Sequence, residues 1–180
     1  MITIKPRPRS GVVLESTHAE AFGVLPGEDR LVKETMNREV ITVDALTSVK
    51  QAIETMRNRS LHIVIVCRDG EPISALTEYD VVTNGAAYEG PSSSVTLDDI
   101  VKKRVEIRCY EDAILADAIP AMAVHGTRHV PIINAQGNLV GALSMVNALE
   151  VLPHDVAARW RKKYRRISVE SLQPYFNKFD

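Results

Sequence analysis

At the end of an apolar, strand-like run, a hydroxyl stands three residues ahead of a carboxylate in one stretch and of an amide in another. The stretches are Thr77-Glu78-Tyr79-Asp80 and Ser144-Met145-Val146-Asn147. At the head of a helix the first reads as a capping box with Asp in place of Glu: the hydroxyl takes one free backbone N–H and the carboxylate another. Such a position also faces unpaired N–H groups and the positive end of the helix dipole, which suit an anion. Nucleophilic and metal chemistry find less to work with. Cys67 and Cys109 are the only cysteines, and both sit in apolar, strand-like runs, so buried free thiols are favoured over a disulfide. Cys109 with His129 as nucleophile and base lacks a third, orienting group. His18, His62, His125, His129 and His154 do not pair at metal-ligand spacing. The sequence holds no Walker-type loop, no GxGxxG, no HExxH and no CxxC. These residues predict neither an enzyme nor a metal site.

A second kind of chemistry lies near the end of the chain. Arg159, Arg161, Lys162, Lys163, Arg165 and Arg166 are interleaved with Trp160 and Tyr164. Val156, Ala157, Trp160 and Tyr164 fall near one helical face. The first reading is a basic helix docked on an acidic body. The alternative is nucleic-acid contact through phosphate neutralisation and stacking, and an acidic partner protein is a third. Beyond it, the aromatics of Leu172–Phe179 suit docking on a neighbouring subunit.

The whole chain carries 22 Lys+Arg and 23 Asp+Glu over 180 residues, a net of -1, with 45% apolar residues. That balance excludes a uniformly basic nucleic-acid coat and an acidic disordered chain. The charge is zoned: residues 1–30 are neutral, 31–150 carry -5 and 151–180 carry +4. No run approaches the roughly 20 apolar residues of a membrane span, and Met1–Arg9 lacks the apolar core of a secretion signal. A soluble protein of the reducing cytoplasm is expected. The leader, rich in Pro and Gly, reads as extended or loop, with Val12-Val13-Leu14 as a short strand.

The acidic body repeats. A shift of 66 aligns Leu31 with Leu97, Arg38 with Arg104, Ile41 with Ile107, Met56 with Met122 and Val64 with Val130. After one inserted residue near Asn134–Gln136, a shift of 67 aligns Gly70 with Gly137 and Ala75-Leu76 with Ala142-Leu143. Element order repeats too. Val40–Val43 is a β-branched strand, and Leu46–Ser48 starts a helix whose Val49, Ala52, Ile53 and Met56 share a face. Leu61–Cys67 is a strand buried on both sides. Arg68-Asp69-Gly70 turns into a strand over Pro72–Leu76, and Thr77–Asp80 opens a helix. In the second copy Val105–Cys109 is a strand, and Asp112 caps a helix bearing Leu115, Ala118, Ile119 and Met122, kinked or shortened by Pro120. Arg128–Ile133 and Leu139–Leu143 are strands around an Asn134–Gly137 turn, and Ser144 opens the last helix. Tyr88–Ser94 is a polar linker. Each copy alone would bury a marginal core, so the two are expected to pack face to face.

This tandem order resembles the cystathionine-β-synthase (CBS) domain pair, or Bateman module. The likeness rests on Val32–Met36, Val40–Val43, Ala52–Met56 and Asp69–Asp80, and then on Gly126–Asn134 and Gly137–Ser144. It implies an α/β (α+β) fold with pseudo-twofold symmetry, each copy a small three-stranded sheet with packed helices. The expected organisation is an extension over 1–30, repeats over 31–86 and 97–152, a linker over 87–96 and a basic helix and tail over 153–180.

The resemblance also implies a function. Such pairs bind adenine nucleotides or S-adenosyl compounds in the cleft between the copies, and they dimerise through their helices. A hydroxyl at the end of the last strand and an Asp three residues on contact phosphate and ribose. Thr77 with Asp80, and Ser144 with Asn147, occupy those positions here. A carboxylate can accept from both ribose hydroxyls, whereas Asn147 lacks the charge and departs from the pattern. Arg128 and His129 are the candidate phosphate contacts, and His62 matches Arg128 in the first copy. Thr42 and Arg108, within their strands, are candidates for an adenine slot that could equally be core. The expectation is a non-catalytic, cytoplasmic, homodimeric regulatory module for AMP, ADP, ATP or S-adenosylmethionine. It would signal energy or metabolite state to a partner protein, with no membrane role and nucleic acid secondary.

Overall fold

The computed structural model describes residues 1–5, 30–86, 95–152, 154 and 158. Its elements, in chain order, are β1 (Ile2–Ile4), a 3-10 turn (Val32–Glu34), β2 (Thr42–Asp44), α1 (Val49–Asn58), β3 (Ile63–Arg68), β4 (Glu71–Thr77) and α2 (Glu78–Ala86). There follow α3 (Leu97–Val101), β5 (Ile107–Tyr110), α4 (Leu115–Val124), β6 (His129–Ile133), β7 (Leu139–Ser144) and α5 (Met145–Glu150). The first copy holds a three-stranded sheet in the order β2-β3-β4, and the second a four-stranded sheet in the order β1-β5-β6-β7.

Duplication extends to the register. Thr42 and Val43 pair in parallel with Ile65 and Val66, and Cys109 with Ile132, which is the first pattern moved by 66 residues. Ile63 pairs with Thr77 as His129 pairs with Ser144. The inserted residue is a matter of turn chemistry. Asp69 (φ 52°) and Gly70 (φ 81°) alone link the paired Arg68 and Glu71. Positive φ at both central residues suits a two-residue hairpin, and Asp and Gly tolerate it. The second hairpin closes through Asn134 N–H to Asn138 O at 2.9 Å with one more residue between, the Asn134 side chain accepting from Gln136 and Asn138 N–H and Gly137 at φ 86°.

Three differences from the sequence reading share one physical origin, which is pairing between distant segments. First, the lead segment of each copy is buried in the other copy's core. Val32 and Met36 pack with Ile107, Leu115, Met122 and Leu143, while Val95, Leu97, Ile100 and Val101 pack with Val49, Met56, Val64 and Leu76. Backbone bonds fix the exchange. Val32 N–H donates to Ala113 O (2.8 Å) and Lys33 N–H to Glu111 O (2.9 Å), as Leu97 donates to Thr47 (2.9 Å) and Asp98 to Ala45 (2.8 Å). Val32 thus corresponds to Leu97, so in these segments the repeat distance is one residue shorter than the alignment of Leu31 with Leu97 assumes.

Second, Asp112 does not cap α4. Ile114 holds that position without a side-chain bond, Leu115 N–H donates to Arg30 O at 2.9 Å, and Asp112 pairs with Lys33 at 2.7 Å. The exchanged backbone satisfies the helix start, so no side chain has to. α4 itself runs Leu115–Val124 as one helix, with Pro120 inside it.

Third, Ile2–Ile4 adds a fourth strand, pairing in parallel with Ile107–Cys109. The strand expected at Val12–Leu14 lies outside the described residues. β2 begins at Thr42 rather than Val40, although Ile41 O still accepts from Ile65 N–H at 2.8 Å.

Between the sheets Ile65, Ala75 and Ala142 form a small third cluster, flanked by Val40, Ile63, Cys67 and Leu139. Ala75 and Ala142 are counterparts, and their small side chains let β4 lie against the second sheet. Gly141 permits a closer approach still: a Cβ there would stand 2.5 Å from Asn37 O. Asn37 and Ala142 exchange backbone bonds of 2.9 and 2.8 Å at that point.

An ionic network also ties the copies. Arg68, at the end of β3, donates to Asp98 of α3 at 2.6 Å and to Glu106, just before β5, at 2.7 Å. Lys102 and Arg68 hold the Asp98 carboxyl below its ordinary range.

Candidate functional site: the junction around Asp80

Thr77 ends β4 and Asp80 lies in the first turn of α2. The capping box read from their spacing is formed. Thr77 N–H donates to Asp80 Oδ2 at 2.9 Å and Asp80 N–H to Thr77 Oγ1 at 3.1 Å. The Thr77 hydroxyl adds a bond of 2.6 Å to the same carboxylate oxygen. Ser48 with Gln51 at α1, and Thr96 with Asp99 at α3, form boxes of the same kind. The other oxygen of Asp80 reaches into the second copy. Arg104 Nη2 donates to Oδ1 at 2.6 Å. Burial pushes the Asp80 carboxyl up, but the bonds from Arg104 and Thr77 outweigh it and hold the group below the usual carboxylate value.

His129 opens β6 and lies close enough to Asp80 for the carboxylate to favour its protonation. Burial, aided by neighbouring Arg128, prevails and pushes the imidazole below its ordinary value, so it is neutral at pH 7. Its Nδ1–H or Nε2–H can then donate while the other nitrogen accepts. Thr77 and Asp80 come from the first copy, and Arg104 and His129 from the second. The cluster therefore spans the boundary that the two copies share.

The second junction shares the backbone but not these interactions. Met145 N–H donates to Arg128 O at 2.8 Å, as Glu78 N–H donates to His62 O at 3.3 Å. Ser144 caps α5 without a side-chain bond, and Asn147 is exposed. Arg38, the counterpart of Arg104, is exposed and makes no side-chain hydrogen bond or ion pair among the described residues.

The other predicted site residues are dispersed. Thr42 is exposed on β2 and His62 is exposed ahead of β3. Arg108 donates to Glu71 at 2.8 Å and to Thr3 at 3.4 Å. Glu71 begins β4 whereas Thr77 ends it, six residues or about 20 Å along a strand. Arg108 thus does not join the Asp80 group. Its place on a strand flanked by β1 and faced by the first hairpin fills its bonds elsewhere. Arg159, Arg161, Lys162, Lys163, Arg165 and Arg166 lie outside the described residues, as do the Leu172–Phe179 aromatics. Cys109 is buried, with its thiol pushed up to about 12 by burial and then Asp117, so it holds no nucleophile at neutral pH. Cys67 is also free. Among the described residues no group of His, Cys, Asp and Glu is placed to hold a metal ion, and no helix is long and apolar enough to cross a membrane.

Arg104 is the residue that reading the sequence for a site misses. Its signal was present, because the repeat aligns it with Arg38. An arginine retained by both copies just ahead of a strand served as evidence of duplication, and its partner could not be read from spacing.

The fold and the paired junctions define a tandem module, and the family model for the CBS domain matches residues 32–86 and 97–154. The chain belongs to the CBS domain proteins. An uncharacterized protein of Methanopyrus kandleri, MK0525, is 32% identical over 127 residues, covering 70% of this chain and 64% of that protein. The chain spans only 32% of the carnitine transport ATP-binding protein OpuCA of Listeria monocytogenes, which is 20% identical over 70% of this chain. Among solved structures, the conserved CBS domain protein TA0289 of Thermoplasma acidophilum aligns with a TM-score of 0.61 at 18% identity, over 76% of this chain and 77% of that one. The CBS domain pair of protein MJ0100, in complex with 5′-methylthioadenosine and S-adenosyl-L-methionine, aligns with a TM-score of 0.55 at 17% identity, over 68% and 94%. These two structures share the fold.

Proposed function

We propose that the chain is a non-catalytic regulatory module that takes an adenine nucleotide or S-adenosyl compound at the Asp80 junction. The observation that carries this is the bond across the copies from Arg104 to Asp80, which Thr77 caps, with His129 near enough to feel the Asp80 charge. Ribose hydroxyls can donate to the Asp80 carboxylate, the remaining donors of Arg104 suit a phosphate, and neutral His129 can bond either. An occupant touching both copies stabilises one arrangement of the pair over others, which is how binding could be passed to a regulated partner protein. The adenosyl ligands held by the CBS pair of MJ0100 support the choice of ligand class. A homodimer, a cytoplasmic setting and the signalling of energy or metabolite state belong to the same reading, as do separate repeats over 31–86 and 97–152. The second junction, with Asn147 in place of Asp, is the weaker site.

Thermal unfolding with AMP, ADP, ATP and S-adenosylmethionine tests this. A ligand at a hundred times its Kd adds about 2.7 kcal/mol, or roughly 5–10 °C for a chain of this size. Asp80→Ala is expected to abolish the shift and Asn147→Ala to keep it. No shift with any of the four at millimolar concentration overturns the proposal.

A further inference from the structure

We infer that Arg104 is a gate on Asp80 that selects phosphorylated adenosine compounds over uncharged or cationic ones. The inference rests on the reading of the Asp80 junction as an adenosyl site and deepens it. The geometry of the carboxylate carries the case. Oδ2 already accepts two bonds from Thr77, at 2.9 and 2.6 Å, so its lone pairs are used. Oδ1 accepts Arg104 Nη2 at 2.6 Å and keeps one place. The two hydroxyls of a ribose cannot both reach this carboxylate unless Arg104 withdraws from it. Both partners are shielded, with about a quarter of the Asp80 side chain and a third of the Arg104 side chain exposed (23% and 34%). A guanidinium drawn off its carboxylate there gives up a charge-assisted bond, which a second anion can replace.

A ligand phosphate supplies that anion at the moment the ribose takes the carboxylate. Guanidinium binds phosphate bidentately, so the displaced group exchanges one charged partner for another. Adenosine offers no replacement and leaves Arg104 uncompensated. S-adenosylmethionine carries a sulfonium and an ammonium against a single carboxylate, so it brings net positive charge toward the Arg104 guanidinium. At the second junction this selection is missing, because Asn147 carries no charge and Arg38 holds no partner among the described residues.

The experiment is calorimetric titration of the full chain with AMP, adenosine and S-adenosylmethionine. It is run on the wild type, Arg104→Ala and Arg104→Lys, with folding of each checked by circular dichroism. Wild type is expected to bind AMP about tenfold or more tightly than adenosine. Arg104→Ala should bring the two within about threefold, with AMP weakened and adenosine strengthened because Asp80 is released. Arg104→Lys should keep part of the preference. A purely structural role would weaken both ligands together and leave their ratio unchanged. That outcome, with AMP still bound, overturns the gate and leaves the adenosyl site standing. Absence of binding by all three ligands to wild type overturns the site and the gate with it. Should Arg104→Ala not fold, Arg104→Gln reads the same ratio.

Discussion

At the end of β4, Thr77 and Asp80 close a capping box and Asp80 reaches across to Arg104; at the end of β7, Ser144 makes no side-chain cap, Asn147 faces solvent and Arg38 stands unpaired among the described residues. The backbones of the two junctions match. Ile63 and His129 hold the same register against Thr77 and Ser144, and the helix-opening N–H bonds to His62 and Arg128 correspond. Duplication has thus preserved strand pairing while the chemistry diverged, most directly in the charge of Asp80 against neutral Asn147. With Asp, a nearby arginine is neutralised and fixed; with Asn, no such attraction exists and the arginine remains in water. Neighbouring differences follow the same line: neutral, half-buried His129 has an apolar counterpart in Ile63.

Three perturbations separate what the two copies share from what they do not. The largest effect belongs to what the copies share. Met56 and Met122 are counterparts, each fully buried in its own core. Truncation to Ala is expected to cost about 2–5 kcal/mol at either position. Equal losses in urea unfolding would show cores of like quality, and a difference of more than about 2 kcal/mol would show that symmetry of sequence does not extend to packing. The junctions come next. Asp80→Ala removes a cap and leaves Arg104 without its partner, so a loss of about 1–3 kcal/mol is expected. Asn147→Ala, exposed and without a cap bond, should change stability by less than about 0.5 kcal/mol. Equal effects would erase the distinction drawn between the two ends.

The smallest effect is in the pH dependence. His129 is pushed below its ordinary 6.5 by burial, so the unfolded chain takes its proton first. Stability from this group is complete above pH 6.5 and declines as pH falls below it. Asp80 is held below its ordinary 3.8, so its contribution is present above that value and is lost only as pH drops through the lower, folded value. His129→Gln should therefore flatten the decline that begins below pH 6.5 and leave the acid limb, while Asp80→Asn should act on the acid limb. A decline setting in just below pH 6.5 that His129→Gln leaves untouched would place the titrating group elsewhere.

Much of this architecture was legible in the residues. Val49, Ala52, Ile53 and Met56 announced α1 by their spacing, Asp69-Gly70 announced the hairpin, and Thr77 with Asp80 announced a cap. Each of these rests on bonds within a few residues, which composition and period report directly. Of the candidate site residues, Thr77 bonds Asp80 as their spacing predicts and His129 lies near enough to feel the Asp80 charge, whereas Arg108 serves Glu71 and Thr3 instead. Arg104 was visible only as a repeated arginine. Which anion a long cation reaches depends on where two distant backbones meet, and nothing in local spacing carries that.

The same limit explains the exchanged lead segments and β1. Val32 and Met36 declare by their type that they are to be buried, and both cores would accept them, since duplicated cores have like composition. Ile2–Ile4 is too short for a period, and its partner β5 lies about a hundred residues away. Residue types and spacing are enough to establish two copies, most of their elements, their turns and the change from Asp80 to Asn147. Which core each lead segment enters and which arginine meets Asp80 emerge on folding, because those choices rest on contacts between segments far apart in the chain.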